Sequence, residues 1–262
     1  MNAQEKMKIG LIGNGHLGQA FTKRFADTNF NADLAISAGR GENAKLAAES
    51  DLVVLTVRPL QLAEVVREIR GHLKGGVLTF TAATPQLALE ESLNHPVVRA
   101  MTDIDFEQIL AQPDEKTRGF LTALSQNPLI EDAGEELVDT HTLFVGCLPG
   151  VIAWQRLHNR EHAVEWLHNY FLFIQARLSV PETVLEKLLY QGLMDKDPAA
   201  TIERISKPGA ITEALLQQLG QKPESTLEEF CAAGWARTHQ VRGEVAQSLK
   251  ALGQLQARQH EL

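Results

Sequence analysis

The sequence predicts an α/β chain: a doubly wound parallel sheet of the Rossmann type, followed by an all-helical C-terminal domain. Three observations carry this. The first third alternates short apolar runs with segments of helical period, the pattern of βαβ units around a parallel sheet. A glycine-rich turn, Gly13-Asn14-Gly15-His16-Leu17-Gly18, joins the first apolar run to the first helical one. From about Ala133 onward nearly every segment has helical period.

The elements follow in order. Met7 to Ile12 reads as the first strand, and Gly15 to Phe25 as a helix with Leu17, Phe21 and Phe25 on one face. Asp33 to Ala38 is a second strand. Leu52 to Val57 is a third, apolar but for Thr56, as a strand covered on both faces should be. Pro59 to Leu73 carries Leu62, Val65, Val66, Ile69 and Leu73 at helical spacing. Val77 to Ala82 is a fourth strand, and Pro96 to Met101 a fifth, entered through the turn Asn94-His95-Pro96. Phe106 to Leu124 reads as helical with a break near Pro113, and Leu129-Ile130 is a candidate for one more strand. The helical region has breaks at Pro149, Pro181, Pro198 and Pro208, and Ser225 to Arg258 is one long helix or two, with Gly234 and Gly243 as weak points. The domain boundary is expected between Ala133 and Gly146, giving a nucleotide-binding domain over 1–140 and a helical substrate and dimerisation domain over 141–262.

Bulk properties narrow the function classes. The chain has 262 residues, 44% hydrophobic and 22% charged, ordinary for a globular protein with a core that needs no staples. Cys147 and Cys231 are the two cysteines and form no framework, which suits a reducing compartment. The formal net charge of -8 argues against a nucleic-acid partner. No long apolar run marks a bilayer span, and no cleavable leader follows Met1. The expectation is a cytoplasmic protein with no membrane partner.

The glycine turn is a G-x-G-x-x-G between a strand and a helix, the setting in which that string binds a dinucleotide. Gly13 permits the tight turn, Gly15 lets the backbone approach a diphosphate, and Gly18 allows close helix–strand packing. Asn14, His16 and Leu17 complete the loop, whose free N–H groups face the phosphates. The end of the second strand selects the cofactor. An Asp or Glu there would bond a ribose 2′-OH and repel a 2′-phosphate; Ser37-Ala38-Gly39-Arg40 stands there instead. Ser37 can donate to a phosphate and Arg40 can pair with it, while Asp33 lies too early in the strand. NADP(H) is therefore the expected cofactor. Thr56-Val57-Arg58-Pro59 ends the third strand beside the same crevice; Val57 and Pro59 border it, and Arg58 either lines it or is an ordinary surface arginine.

These residues resemble a family. Ile9 to Gly18 and Ser50-Asp51-Leu52-Val53-Val54-Leu55-Thr56-Val57-Arg58-Pro59 are similar to the matching segments of pyrroline-5-carboxylate reductase, which reduces a cyclic imine to proline with NAD(P)H. Pro96-Val97-Val98-Arg99-Ala100-Met101 is similar to its Pro-Val-Val-Arg segment, and Ile205-Ser206-Lys207-Pro208-Gly209-Ala210-Ile211-Thr212 to its Ser-Pro-Gly-Gly-Thr-Thr loop. The resemblance covers most of the chain and is specific up to Met101. It implies an NADP(H)-dependent reductase, a carboxylate-bearing substrate held by Pro208, Gly209, Ala210, Ile211 and Thr212 in a pocket between the domains, and a homodimer through the helical domain. It implies no metal.

The departures fall on the substrate side. Thr102-Asp103 replaces the family's Pro-Asn, Ile211 replaces a threonine, Ala210 a glycine and Lys207 a serine. Ile211 has no hydrogen bond to offer. Two consequences are open: a reductase of the same class acting on a different small imino or keto acid, or a cofactor-binding protein that has lost catalysis. In the first, Lys207 acts as a point charge on a carboxylate, or is a solvated loop lysine; Asp103 holds an amine or protonates a leaving nitrogen, or is a cap for the segment starting at Asp105. His16, His141 and Cys147 are weaker candidates near the same region. His158 and His162 share a helical face, without the glutamate a zinc-protease motif needs. Trp154, Trp166, Tyr170, Phe171 and Phe173 read as helix core or a subunit interface.

Overall fold

The structure is a computed structural model and describes residues 6–37, 39–127, 129, 134–158, 163–177, 182–223 and 225–259. The chain divides into two compact units. The first comprises residues 1–138 and 241–262, the second 139–240.

The first unit is built on a six-stranded sheet in the order β2-β1-β3-β4-β5-β6. Its strands are β1 (Met7–Ile12), β2 (Ala32–Ile36), β3 (Leu52–Leu55), β4 (Gly76–Thr79), β5 (Val97–Thr102) and β6 (Ile109–Ala111). The first five pair in parallel, as their apolar, crossover-linked sequences require. Every residue of β3 is fully buried, which explains an unbroken Leu-Val-Val-Leu at the sheet's centre. Helices α1 (His16–Ala26), α2 (Asn43–Glu49), α3 (Leu62–Ile69) and α4 (Gln86–Leu93) connect the first five strands, α5 (Glu115–Leu124) follows β6, and α6 (Glu135–His141) begins as the unit ends. Phe21 of α1 anchors one core face. Its ring meets Phe25, Phe80, Phe106 and Phe120 at centroid distances of 6.0 to 6.4 Å, and such pairs add about 0.5–1.5 kcal/mol each beyond burial.

Three expectations are corrected here. The segment after Phe106 opens with β6, antiparallel to β5 with Met101 opposite Leu110, before turning into α5. A three-residue strand is too short to show a period, and it merges into the neighbouring helical pattern. The sheet is thus mostly parallel with one antiparallel edge. Helices α2 and α4 are additions to the expected elements, and β2, β3 and β4 end sooner than expected, at Ile36, Leu55 and Thr79. Ile130, half of the candidate sixth strand, and the break at Pro181 lie outside the described residues.

The second unit is helical, in keeping with its sequence. A π-helical turn at Thr142–Gly146 leads into α7 (Leu148–His158), followed by α8 (Ala163–Gln175), α9 (Glu182–Met194), α10 (Pro198–Ile205) and α11 (Ile211–Gln221). Pro149 sits in the first turn of α7, where a missing N–H costs nothing. Pro198 does the same in α10, whose first turn is capped by Asp197 accepting the Ala200 N–H at 2.9 Å. α12 (Leu227–Gln259) is one continuous helix. Gly234 interrupts nothing: a Cβ there would lie 2.2 Å from Leu143 Cδ1, so the glycine serves close packing. From Val241 onward α12 packs with the first unit rather than the second. Trp166, Tyr170 and Phe230 form an aromatic core at centroid distances of 5.1 to 5.5 Å.

One helical stretch, Glu135–His158, is long and apolar enough to cross a membrane by composition, contrary to the expectation that no such run exists. Its apolar window is 78% buried within the protein, as a core helix would be.

Candidate functional site

The strand order reverses between β1 and β3, and in such sheets ligands sit outside the carboxyl ends of the strands at that switch point. The glycine turn leaves β1 there. Gly13 has φ +111°, and a Cβ on it would lie 2.8 to 2.9 Å from the Thr56 carbonyl group. A Cβ on Gly18 would stand 1.9 Å from the Gly13 oxygen. These two glycines are demanded by the fold. Gly15 is different. Its φ is an ordinary -77°, and a Cβ would meet no atom within 4 Å. Neither backbone strain nor packing requires a glycine at this position. Gly15 is also the N-cap of α1, whose first turn has no side-chain cap and no acidic residue. The amides at that end keep their positive field for an anion. Asn14 and His16 are exposed beside it, whereas the Leu17 side chain packs on the core, leaving its amide as its means of contact.

Thr56 fastens the turn from the next strand. Its N–H donates to the Ile12 oxygen at 2.9 Å and its hydroxyl to the Gly13 oxygen at 2.6 Å. Val57 is half-buried, Arg58 exposed, and Pro59 opens a 3-10 turn over Pro59–Gln61. The β3 end and the glycine turn are therefore fastened to each other at the switch point.

The loop after β2 holds Ser37 and Arg40, with Gly39 at φ +132° and Gly41 at +87° on either side of the arginine. Ser37 accepts the Gly39 N–H at 3.2 Å and donates its hydroxyl to Asn43 Oδ1 at 2.5 Å. Arg40 extends from the loop and pairs with Glu64 of α3 at 2.9 Å. Asp33 is occupied elsewhere, by Lys6 at 3.0 Å.

Asp103 follows β5 and is 3% exposed. Its Oδ1 accepts the N–H groups of Asp105 (2.8 Å) and Glu107 (3.3 Å), and its Oδ2 that of Gln108 (3.2 Å). Burial pushes its carboxyl above the usual range, and the three amides pull the other way. Both oxygens are thus committed to the turn that carries the chain into β6, with Phe106 at φ +56°. It caps a turn before a strand rather than a helix.

The second unit carries the remaining expected residues. Lys207, Pro208, Gly209 and Ala210 link α10 to α11, and Ala210 is the N-cap of α11. Gly209 is the pivot, at φ +83°. Its N–H donates to Glu213 Oε2 at 2.6 Å, and its carbonyl accepts Arg237 Nε and a terminal guanidinium nitrogen at 3.0 and 2.6 Å. The two peptide groups flanking Gly209 are thus each held by a side chain. The Ile211 side chain is buried, and the Thr212 hydroxyl donates to Cys147 Sγ at 3.2 Å, turning it inward. The backbone amides opening α11 and the half-buried Lys207 are the groups this loop can bring to an anion.

Two of the weaker candidates, Cys147 and His141, are buried in the second unit, while His16 is exposed beside the glycine turn. Burial pushes the Cys147 thiol up to about 11, the opposite of an activated nucleophile. His141 is fully buried, neither ring nitrogen finds a partner among the described residues, and burial lowers it to about 3, so it stays neutral. His158 stacks on Trp154 at 4.7 Å, and His162 lies outside the described residues. Sequence reasoning missed Thr56, Glu64, Glu213 and Arg237 as residues that fasten these loops. For Arg237 no local signal exists, since its partner is 28 positions away.

No protein-family model matches the chain. A pyrroline-5-carboxylate reductase of Aquifex aeolicus is 22% identical over 242 residues, covering 82% of this chain and 90% of that protein. The Plasmodium falciparum pyrroline carboxylate reductase, solved with NADP bound, superposes with a TM-score of 0.53 at 16% identity, over 93% of this chain and all of that one. The 1-pyrroline-5-carboxylate reductase of Streptococcus pyogenes gives 0.52 at 19% identity, over 91% and 99%. In sequence and in fold the chain is similar to these reductases, at the distance of a divergent relative.

Proposed function

From this likeness we propose that the chain is an NADP(H)-dependent reductase that reduces the C=N bond of a small carboxylate-bearing imine, similar to the reduction of pyrroline-5-carboxylate to proline. The observation that carries the proposal is Gly15: a glycine that neither φ nor packing requires, at the switch point, on the uncapped end of α1. The residues present fit a dinucleotide. The Gly13–Gly18 amides would hold the diphosphate, Arg40 a 2′-phosphate, and Val57, Arg58 and Pro59 would border the cofactor.

When bound, the cofactor supplies a hydride; the chain's own residues bind and orient. Lys207 and the amides at the start of α11 would take the substrate carboxylate, with Gly209 fixed in place by Glu213 and Arg237. A substrate bound as an iminium carries its own proton, so reduction at carbon needs no acid from the loop. That suits a site where Ile211 cannot donate and Thr212 is turned onto Cys147. The exposed apolar side chains of α8 and α9, among them Val164 (75%) and Tyr190 (64%), support assembly as a homodimer through the helical unit. Two free, buried cysteines fit a reducing, cytoplasmic setting.

A second reading, a non-catalytic NADP(H)-binding sensor or partner protein, is favoured by the same Ile211 and by the internally satisfied Asp103. Steady-state assay separates the two. NADPH oxidation should accelerate with a cyclic imino acid such as pyrroline-5-carboxylate, or with another small imino or keto acid. Saturable NADPH binding with no turnover above background across that panel would establish the second reading instead.

A further inference from the structure

Selection of a 2′-phosphate by Ser37 and Arg40 is part of the proposed NADP(H) binding, and any role for their neighbours in that selection rests on it. The Arg40 guanidinium is 80% exposed and meets Glu64 Oε2 at 2.9 Å. The other Glu64 oxygen faces Arg67 at 3.7 Å, three residues along α3. One turn after Glu64, Glu68 Oε2 accepts the Asn43 side-chain amide at 2.8 Å, and Asn43 in turn accepts the Ser37 hydroxyl. Both side chains expected to recognise the 2′ group therefore hang from carboxylates of α3, Arg40 directly and Ser37 through Asn43. No feature of the sequence pattern marks α3 as part of cofactor selection.

A carboxylate and a phosphate oxygen compete for the same guanidinium donors. We infer that Glu64 is a specificity-determining residue: its carboxylate competes with the cofactor's 2′-phosphate for Arg40 and so holds down the preference for NADPH over NADH. The exchange is within reach because the pair is exposed and therefore weak. It is eased because Glu64 keeps Arg67 as a partner when Arg40 leaves. NADH carries a hydroxyl at the 2′ position and has no claim on Arg40, so its affinity should not register the competition.

The test is titration of the intact protein with NADPH and with NADH, followed by cofactor fluorescence. It uses the wild type, Glu64→Gln, Arg40→Gln and the double variant. Glu64→Gln should tighten NADPH by about two- to fivefold, the range an exposed ion pair allows, and leave NADH unchanged. Arg40→Gln should weaken NADPH, and adding Glu64→Gln to it should recover nothing. Glu64→Ala removes the carboxylate by another route and should match Glu64→Gln. Unchanged NADPH affinity in both Glu64 variants overturns the inference while leaving NADP(H) binding in place. So does an equal gain for NADH, or the same gain without Arg40. Unchanged NADPH affinity in Arg40→Gln, or no saturable binding of either cofactor, brings down the 2′-phosphate reading and this inference with it.

Discussion

His141 shows how a residue reads differently in sequence and in space. A histidine shortly before Gly146 is a reasonable active-site candidate, but here it is fully enclosed with both ring nitrogens unpartnered among the described residues. Burial favours the neutral ring, lowering it from 6.5 to about 3. The sign follows from linkage: between these values the unfolded chain binds the proton more readily, so His141's contribution to stability is intact above pH 6.5 and is lost as pH falls toward about 3. His141→Leu should flatten that part of the stability profile. It should also stabilise the protein at neutral pH by about 1–3 kcal/mol, by removing an unsatisfied buried polar group. Urea midpoints measured from pH 7 to pH 4 check both; a parallel acid loss in the variant would show that other groups dominate. The place of Ser37 and Arg40 after β2 was legible, because it follows from the end of an apolar strand. Their partners Glu64 and Asn43 were not, because contacts across helices leave no trace in local pattern.

At the scale of elements, what could be read was what repeats or what the turn chemistry enforces. The strand–glycine turn–helix unit was recognisable because Gly13 and Gly18 answer to steric demands that hold in any protein with this turn. The neighbouring failures have physical causes as well. β6 spans only Ile109–Ala111 and is created by a turn that Asp103 holds through three amides, so neither length nor period announced it. The loop before α11 was located by Pro208 and Gly209, but its rigidity comes from Arg237 on α12. Gly15 and Gly18, which serve the same turn for different reasons, can be told apart by stability. Gly18→Ala forces a Cβ to 1.9 Å from the Gly13 oxygen and should cost about 1–3 kcal/mol through overpacking. Gly15→Ala meets nothing within 4 Å and should cost only a glycine N-cap, below about 1 kcal/mol. Equal destabilisation by both would mean that Gly15, too, is a folding residue.

For the whole molecule, the change from alternating to all-helical sequence marked the transition between units, and packing places it at residues 138 and 139. What the pattern could not show is that the end of α12 groups with the first unit, since a continuous helix carries no signal of where its partners change. Leu172, Tyr190 and Met194 of α8 and α9 are exposed, and the proposed dimer would cover them. Light scattering should give the mass of a dimer, and Val164→Glu should shift it toward the monomer; a monomeric wild type at micromolar concentration would refute assembly through this face. The central claim is that a dinucleotide's diphosphate rests on the amides at Gly15. Calorimetric titration of wild type and Gly15→Ala with NADPH tests it most directly. The expected result is saturable binding that weakens by at least about tenfold, or 1.4 kcal/mol, in a variant that remains folded. Equal affinity in the two proteins, or no binding to the wild type, would contradict it.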